Sequence, residues 1–305
     1  MKCKKCRNEK AIANLRAHNL ALCRTCYSPW FLHHTQATID RFKMFHREDK
    51  ILVAVSGGKD SLALWHALSA LGYQADGLYL HLGIDHEGYS DKSMVASQTL
   101  AVHLGRPLHV ANVAEEAGAT IPEIQALTRR VACSGCGLTK RHLMNKIACA
   151  RGYDVLTTGH NLDDEAATLL GNVLHWQMDY IGRQGPVLDE RDGFKKKVKP
   201  FYFFTEKETT LYTLVNQLQY IRDECPFSIG ATSLFYKEIL NRLEHSAAGT
   251  KRMFLDGFLK NKTLFQEHHA IPDLKPCPVC GQPTTGDLCA FCRMTSRVRG
   301  KKLAV

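Results

Sequence analysis

Residues 56–61 form the segment of this 305-residue chain most suited to chemistry. Ser56-Gly57-Gly58 follows an apolar, β-branched stretch and precedes an apolar helical pattern. The two glycines let backbone N–H groups close around a phosphate, and a helix N-terminus favours negative charge. Lys59 adds a cation, while Ser56 and Ser61 add hydroxyl donors. The sequence therefore predicts a pyrophosphate site between a strand and a helix.

The spacing of this loop excludes the Walker A motif, because G-x-x-x-x-G-K-S/T cannot be laid over it. It resembles instead the S-G-G-x-D-S loop of the PP-loop ATP pyrophosphatases, which transfer AMP from ATP to a substrate oxygen. The simpler explanation is a tight strand-to-helix turn with incidental polar residues. That explanation requires the serines, the glycines and Asp60 to match the motif by coincidence.

The cysteines indicate metal coordination. Ten of the 12 cysteines occur in five C-x-x-C pairs. Two of these pairs lie near each end of the chain, so each end has a group of four cysteines. Each group is typical of a tetrahedral four-thiolate zinc site, and such cysteines imply a reducing compartment. The predicted zinc ligands are Cys3, Cys6, Cys23 and Cys26 in the first group and Cys277, Cys280, Cys289 and Cys292 in the second.

Three further cysteines do not fit such a module. Cys133 and Cys136 lie beside a predicted helix N-terminus, where thiolate is favoured, and Cys225 follows much later at a predicted helix-to-loop junction. A redox-active pair, a third zinc site and an iron–sulfur cluster held by three thiolates all remain open on spacing alone. Cys149 is predicted to be a small buried hydrophobic residue.

The formal net charge of +10 favours a polyanionic partner, and with two cysteine modules and a nucleotide loop RNA is the best candidate. We find no apolar run long enough to span a membrane and no charged-then-apolar leader. The chain is therefore expected to lie in the cytoplasm, with no membrane span.

The elements that position these residues follow from the apolar pattern. Alternating strand and helix over 50–160 predicts a doubly wound parallel sheet, whose site lies at the carboxyl ends of the strands. The predicted strands are 50–55, 75–84, 107–113 and 153–159, and the predicted helices are 60–71, 91–105, 137–151, 163–174, 205–219, 232–246 and 250–260. A polar stretch, 182–200, is predicted to be a surface loop.

The predicted organisation is an α/β PP-loop ATP pyrophosphatase domain flanked by zinc modules. The predicted divisions are an N-terminal zinc module over 1–27, the PP-loop domain with a helical second half over 28–261, a linker over 262–276, and a C-terminal zinc module with a basic tail over 277–305.

Loop, C-x-x-C pair and third cysteine together resemble the TtuA/TtcA superfamily of tRNA 2-thiolation enzymes, most closely its TtuA-type branch, which has a zinc module at each end. The resemblance covers essentially the whole chain. Its markers are the leading C-x-x-C pair, Val53–Ser61, Val131–Gly137 with Lys140, Thr158–Glu165, Arg183–Pro186, Lys199–Tyr202, Glu224–Pro226 and Pro283–Gly286.

The resemblance implies the cofactors and partners. Cys133, Cys136 and Cys225 are expected to hold a 4Fe–4S cluster whose unique iron carries the hydrosulfide that becomes the thiocarbonyl sulfur. Asp60 and Lys140 are expected to be catalytic. The residues expected to contact ATP are Ala54, Ser56, Gly57, Gly58, Lys59, Ser61, Leu80, Gly159 and Asp164. The expected partners are tRNA, a ubiquitin-like thiocarboxylated sulfur carrier and a second copy of the chain.

Replacement of a uridine oxygen by sulfur requires residues of these kinds. A uridine carbonyl oxygen is a poor leaving group, so the C2–O bond must first become a phosphoester. Asp60 and Asp164 are candidates to hold Mg²⁺ beside the departing pyrophosphate, although capping of a helix N-terminus also explains an acidic residue at these positions. Lys140 is expected to stabilise the oxyanion or protonate the leaving oxygen. The alternative is that Lys140 is an ordinary lysine on the surface of a helix.

Other functions fit parts of the pattern. The predicted substrate is a T-loop 5-methyluridine of tRNA, and a wobble uridine is the alternative within the same superfamily. The loop also permits a synthetase that adenylates a carboxylate or purine oxygen and adds nitrogen, which would leave three cysteines without a role. The cysteine modules and the positive charge alone would suit a non-catalytic RNA-binding protein.

Overall fold

The computed structural model describes residues 1–128, 132–228, 231–266 and 273–302. Its strands are β1 (Ala13–Leu15), β2 (Leu20–Leu22), β3 (Ile51–Val55), β4 (Ala75–His81), β5 (Leu108–Asn112), β6 (Val155–Thr158), β7 (Val187–Leu188), β8 (Lys196–Val198), β9 (Lys275–Pro276) and β10 (Pro283–Thr284). Its helices are α1 (Arg24–Arg41), α2 (Lys59–Ala70), α3 (Tyr89–Leu104), α4 (Val113–Ala117), α5 (Ile121–Thr128), α6 (Ala132–Ala150), α7 (Leu162–Leu174), α8 (Met178–Arg183), α9 (Glu206–Val215), α10 (Thr232–Ser246), α11 (Thr250–Lys260), α12 (Thr263–Gln266) and α13 (Ala290–Lys302).

A six-stranded sheet in the order β5-β4-β3-β6-β8-β7 positions the site. All neighbours in it are parallel except β7, which runs antiparallel to β8. Successive side chains of β3 point to opposite faces, so Val53 packs in one core with Trp65, and Leu52 in another with Leu143 of α6. The predicted doubly wound parallel sheet is confirmed, and β3 at its centre ends at the PP loop.

The prediction of a surface loop over 182–200 is wrong, because this stretch contains β7 and β8. The backbone of β8 pairs in parallel with residues 155–157 of β6, and Val198 is fully buried. A three-residue strand with two lysines lacks the apolar run by which buried strands are recognised. Its place in the sheet comes from backbone pairing with a distant strand, which local sequence does not encode.

Other boundaries differ by a few residues. The strand predicted over 75–84 ends at His81, and the helix predicted over 205–219 ends at Val215. The helix predicted from residue 137 already includes Ala132, so Cys133 and Cys136 lie inside its first turns.

Both cysteine modules pack into the cores of the sheet domain. Cys3 and Cys23 share a core with Tyr27, whose hydroxyl donates to the Glu208 backbone carbonyl at 2.8 Å. Cys277 and its neighbours share the other core with α5 and α6. Helix α1 runs through residue 27, so the division into four units stays a prediction. Residues 267–272 of the predicted linker and 303–305 of the predicted tail lie outside the described residues.

Candidate active site

The loop over residues 56–61 is held by its own side chains and by α3. Ser61 Oγ accepts from the Ser56 backbone N–H at 3.0 Å and donates to the Gly58 carbonyl at 3.0 Å. Gly57 has φ +75°, and a Cβ there would lie 2.4 Å from the Ser93 carbonyl oxygen. Only glycine fits this position without strain. The loop is therefore fixed in one shape before any ligand arrives.

Gly159 lets the end of β6 approach the start of α2. A Cβ on Gly159 would lie 2.8 Å from the Asp60 carbonyl carbon and 2.9 Å from the Ser61 nitrogen. These are backbone atoms, which cannot rotate away from the added methyl as the end of a flexible side chain could. The close contact therefore fixes the segment before Asp164 against the PP loop.

We expect Gly159→Ala to weaken ATP binding by at least about tenfold and to lower the free energy of unfolding by about 1–3 kcal/mol, because the added methyl forces two backbone segments apart. Gly257→Ala is the matched control, since Gly257 lies in α11 with open space where its Cβ would be. That change should leave ATP affinity unaltered and raise stability by up to about 1 kcal/mol. Isothermal titration with ATP and urea unfolding measure both quantities, and unchanged ATP affinity in Gly159→Ala would contradict the predicted place of Gly159 in the ATP site.

A network of two lysines and three carboxylates surrounds the start of α2. Lys59 Nζ lies 2.8 Å from Asp60 Oδ2 and 2.7 Å from Glu206 Oε1. Lys237 Nζ lies 2.6 Å from Asp164 Oδ1 and 3.4 Å from Glu206 Oε2. The network joins α2, α7, α9 and α10, so it links residues from both halves of the domain.

The pKa values within this network differ. Burial raises the pKa of Asp60 above its ordinary value, although Lys59 opposes the rise. Burial would also raise the pKa of Asp164, but Lys237 outweighs it and the pKa is lowered. The same balance, with Lys59 and Lys237 as the cations, lowers the pKa of Glu206. The network holds three carboxyl groups against two lysines, so it offers several oxygen donors that suit a cation.

Mg²⁺ fits these donors. Magnesium usually takes one or two protein carboxylates and completes its shell with phosphate oxygens and water. Asp60 and Asp164 lie close enough for Asp164 to act on the pKa of Asp60. Asp60, Asp164 and Glu206 do not form a group with ligand atoms within 4.8 Å of one another, as judged over the described residues. The arrangement therefore suits a metal shared with a bound phosphate better than an all-protein site.

Asp164 also caps α7. Its Oδ2 accepts from the Asn161 backbone N–H at 3.1 Å, while the Asn161 side chain accepts from Asp164 N at 3.1 Å. Oδ1 faces Lys237 instead. The capping explanation of Asp164 thus holds for one oxygen, and the other oxygen belongs to the charged network.

Three of the four cysteines outside the modules, Cys133, Cys136 and Cys225, come together near the N-terminus of α6. The Cys133 thiol donates to the Phe227 carbonyl at 3.2 Å, which holds α6 against the loop that carries Cys225. Burial raises the pKa of Cys136, Lys140 one turn away opposes the rise, and Cys225 and Cys133 add to it. Three thiols and Lys140 therefore share one neighbourhood.

Cys133, Cys136 and Cys225 are not grouped as tightly as the two four-cysteine groups. Among the described residues, only the two four-cysteine groups have ligand atoms all within 4.8 Å of one another. A single zinc ion draws its thiolates that close, whereas a cubane cluster separates them by the width of its iron–sulfur core. Cys133, Cys136 and Cys225 do not meet the 4.8 Å limit among the described residues. By donor chemistry, three soft thiolates suit a 4Fe–4S cluster with one iron left without a cysteine.

The two four-cysteine groups fit zinc. Cys6 and Cys23 sulfurs lie 3.7 Å apart, as do those of Cys280 and Cys289. A tetrahedral ion with Zn–S bonds of about 2.3 Å requires an S–S separation of about 3.8 Å. All eight predicted module cysteines belong to these two groups.

The loop after α9 connects the PP loop to the cysteines. The Ile221 backbone N–H donates to the Gly57 carbonyl at 3.0 Å, four residues before Cys225. This backbone bond ties the segment that carries Cys225 directly to the phosphate loop. On the other side of the loop, α3 bears Tyr89, and burial together with Cys225 raises the pKa of Tyr89 to about 12. The nucleotide loop and the segment that carries Cys225 are therefore neighbours.

A cleft of about 650 Å³ opens beside these thiols. Its walls include Asp85 and His86 after β4, Thr120 and Pro122 at the start of α5, and Pro226 and Phe227 next to Cys225. This volume is typical of a site for a small molecule or a single nucleoside.

Two further predicted ATP contacts lie on the same side of the sheet as the cysteines. Leu80 belongs to the core that includes α6 residues, and Ala54 packs against that core, as do Cys136 and Cys225. A nucleotide at the ends of β3 and β4 would therefore lie between the PP loop and the three thiols.

Sequence reasoning missed Glu206, Lys237, Thr209 and Tyr89. The Thr209 hydroxyl donates to Asp60 Oδ1, and Glu206 follows the N-cap Thr205, whose capping box with Glu208 has a recognisable T-x-x-E signature. That signature locates the start of α9 but not its function. Cys149 is half-buried rather than buried, because its thiol faces the Gly193 carbonyl at 3.5 Å at the edge of the sheet.

Among the described residues, no helix is both long and apolar enough to cross a membrane.

Comparisons with known proteins agree with this architecture. A family model for the PP-loop domain matches residues 31–228, and one described as the N-terminal LIM domain of 2-thiouridine synthetase TtuA matches residues 2–28. The tRNA-5-methyluridine(54) 2-sulfurtransferase of Thermus thermophilus is 48% identical over 99% of this chain and 94% of its own length. The protein of that name from Pyrococcus horikoshii is 44% identical over 96% of this chain and 93% of its own length.

A solved structure shows the same fold. The U34-tRNA thiolase NcsA from Methanococcus maripaludis, determined with its 4Fe–4S cluster, has a TM-score of 0.82 and 24% sequence identity, and the match covers 100% of this chain and 97% of NcsA. The PP-loop domain match spans more than half of the chain, and the sequence identities extend over nearly all of it. The chain therefore belongs to the TtuA/TtcA superfamily of PP-loop proteins, on its TtuA-type branch.

Proposed function

We propose that this protein is an ATP-dependent tRNA sulfurtransferase that replaces the C2 oxygen of a uridine with sulfur, acting on the T-loop 5-methyluridine. One observation carries the proposal most directly. The PP loop and the Cys225 segment are joined by the bond from Ile221 to Gly57, so the group that activates an oxygen lies beside thiols suited to handle sulfide.

In the first step the uridine O2 attacks the α-phosphorus of ATP. An O–P bond forms, and the bond from the α-phosphorus to the bridging oxygen breaks to release pyrophosphate. Backbone N–H groups of the loop and Lys59 stabilise the charge on the leaving pyrophosphate. Asp60 and Asp164 are the residues that would hold Mg²⁺, and a bound phosphate would draw Lys59 and Lys237 away from these carboxylates.

In the second step a sulfur nucleophile attacks C2, and the C2–O bond breaks to release AMP with the former carbonyl oxygen. A 4Fe–4S cluster held by Cys133, Cys136 and Cys225 would supply the sulfide for this attack. Lys140 lies one helical turn beyond Cys136 and acts on the pKa of that thiol. Its ammonium is therefore close enough to stabilise negative charge on the reacting uridine.

The choice of uridine follows the relatives. The two relatives at 48% and 44% identity are named for 5-methyluridine(54), whereas the solved thiolase named for U34 is only 24% identical. A ubiquitin-like protein thiocarboxylate as the sulfur donor, a homodimer, two structural zinc ions and a cytoplasmic location complete the proposal.

The test is thiolation of tRNA by the purified chain. The enzyme, reconstituted anaerobically with iron and sulfide, is given ATP, Mg²⁺, sulfide and tRNA that lacks 2-thiouridine. Mass spectrometry of the nucleosides measures the product. Two matched tRNAs, one with cytidine at the T-loop position and one with cytidine at the wobble position, locate the modified uridine.

We expect ATP-dependent 2-thiolation that is lost only with the T-loop substitution. Loss only with the wobble substitution would assign the chain to wobble-uridine thiolation. ATP–pyrophosphate exchange driven by a small metabolite, with no thiolated nucleoside, would support a synthetase instead.

A further inference from the structure

A cluster of cations lies beside the active site, and the mechanism above does not use it. It consists of Arg141 on α6, Lys197 on β8, Lys199 after β8, and Lys262 between α11 and α12. The names of the relatives give no function to these residues. We refer to these four residues as the basic cluster.

The sheet register gives the direction of Lys197. Lys197 is the parallel partner of Leu156 on β6, and residues paired across neighbouring strands point to the same face. Leu156 is buried in the core that includes Leu143 and Met144 of α6. Lys197 therefore points toward α6, whereas Lys196 points to the opposite face, where its Nζ donates to the Lys43 carbonyl at 2.7 Å.

One cation of the basic cluster is neutralised. Lys199 Nζ lies 2.7 Å from Glu165 Oε2, and both side chains are largely buried. Within the part of the chain that the structure describes, Lys197 and Arg141 have neither an ion-pair partner nor a side-chain hydrogen bond. Lys262 Nζ lies beside Gly185, 3.1 Å from the position that a Cβ would occupy there.

The lack of a direct ion-pair partner affects the pKa of Lys197. Burial, Lys199 and Arg141 lower this pKa to about 8, although Glu165, the ion-pair partner of Lys199, opposes the fall. Burial and Lys199 also lower the pKa of Lys262, and Asp189 opposes that fall. Holding several partly desolvated cations together is unfavourable unless an anion joins them. The energetics of the basic cluster thus favour binding of an anion.

The basic cluster is close to the reacting groups. Arg141 follows the candidate catalytic Lys140 directly on α6. Desolvation, Lys199 and more weakly Lys197 lower the pKa of His160, and His160 in turn acts on the pKa of Asp164 in the charged network. An anion at the basic cluster would therefore lie next to the nucleotide site, on the side of α6.

We propose that Lys197 and Arg141, with Lys262 at the edge, bind a backbone phosphodiester of the RNA substrate next to the reacting uridine. The proposal rests on the proposed function, because it assumes that RNA is the substrate. Arg and Lys are the side chains that bind phosphate most strongly, Arg through a planar fork and Lys as a point charge. The PP loop already accounts for the pyrophosphate of ATP, so the second anion is assigned to the RNA.

The test compares Lys197→Gln with Lys196→Gln in the full chain. Both variants remove one lysine charge from the same strand, but on opposite faces of the sheet. Fluorescence anisotropy with labelled tRNA at about 50 to 200 mM KCl gives the affinity and its salt dependence. Titration with ATP and with pyrophosphate gives the affinity of the nucleotide site.

We expect Lys197→Gln to bind tRNA about tenfold more weakly and to reduce the slope of log K against log salt by about one, since one phosphate contact is lost. Lys197→Arg should restore most of the affinity, and Arg141→Gln should resemble Lys197→Gln. Lys196→Gln should stay within about twofold of the wild type. Melting temperatures measured alongside identify misfolding, and that of Lys197→Gln should not fall, because the change removes a desolvated cation.

Unchanged tRNA affinity and salt slope in both Lys197→Gln and Arg141→Gln would overturn the proposal. Weaker binding of ATP or pyrophosphate with unchanged tRNA binding would also overturn it, by assigning the anion to the nucleotide. These outcomes are distinct from failure of the proposed function, which is measured by thiolation in the wild-type chain. If the wild type thiolates tRNA and Lys197→Gln binds it normally, only the basic cluster has been misassigned.

Discussion

Replacing Cys225 by alanine is expected to remove the cluster and to reduce tRNA thiolation by at least about 100-fold. Cys225 comes from a loop distant in sequence from Cys133 and Cys136, so its loss leaves two thiols on one helix. Two adjacent thiolates cannot hold a cubane that requires three or four protein ligands. After anaerobic reconstitution, iron should fall from about four atoms per chain to a small residual value.

Cys149→Ala is the matched control for this experiment. Cys149 lies on the same helix as Cys133 and Cys136, near its other end, and its thiol faces a backbone carbonyl rather than the three thiols. This variant should retain the iron content, the absorbance of the cluster and the thiolation rate. Full thiolation by Cys225→Ala without iron would refute a catalytic cluster, and equal iron loss in both variants would refute the ligand assignment.

The second large effect is expected for Asp60→Asn, which should lower the turnover of thiolation by about 10²–10³-fold. The change removes the carboxylate that contacts Lys59 and Thr209 and that would bind Mg²⁺ beside the pyrophosphate. Affinity for tRNA should stay near the wild-type value, because the basic cluster is untouched. Single-turnover formation of the thiolated nucleoside, measured across Mg²⁺ concentrations, tests this directly.

The stability of Asp60→Asn separates a catalytic role from a structural one. Burial raises the pKa of Asp60 in the folded chain, so between the unfolded and the folded pKa the folded chain binds more protons. The free energy of unfolding therefore falls as pH rises through that window. Above the window the ionised Asp60 carboxylate is a net cost to the stability of the folded chain. Asparagine removes this cost, and the melting temperature should not drop sharply.

Asp40→Asn provides the control, since Asp40 is exposed on α1 and accepts a hydrogen bond from Gln36 at 2.7 Å. It should leave turnover and its Mg²⁺ dependence unchanged. A wild-type rate in Asp60→Asn would show that the carboxylate has no part in the chemistry. A collapse of its melting temperature would show that its role is to support the fold.

The sequence alone identified the parts whose chemistry depends on close spacing. The loop over residues 56–61, the two four-cysteine groups and the Cys133/Cys136 pair can be recognised because their members lie close together along the chain. The parallel sheet was predictable for the same reason, since apolar strands such as Ile51–Val55 carry a local pattern. The predicted sheet, the PP-loop domain and the two four-cysteine groups are confirmed.

The local pattern of the sequence did not show which residues, distant along the chain, complete the candidate site. Lys237 and Glu206 join Asp164 and Lys59 through contacts between helices that are far apart in sequence. The β8 strand was predicted as loop, because its position depends on pairing with β6 rather than on its own residues. Lys197 of that strand was therefore predicted to lie in a surface loop.

The chain thus specified by itself that a phosphate loop, two four-cysteine groups and the additional cysteines Cys133, Cys136 and Cys225 are present. Only the tertiary structure showed that the loop and the Cys225 segment are neighbours, through the Ile221-to-Gly57 hydrogen bond, and that Lys197 has no ion-pair partner among the described residues. The physical reason is the separation along the chain of the residues that interact. Spacing along the chain encodes interactions between near neighbours, whereas the charge balance of a site arises from residues that meet only when the sheet and its helices pack together.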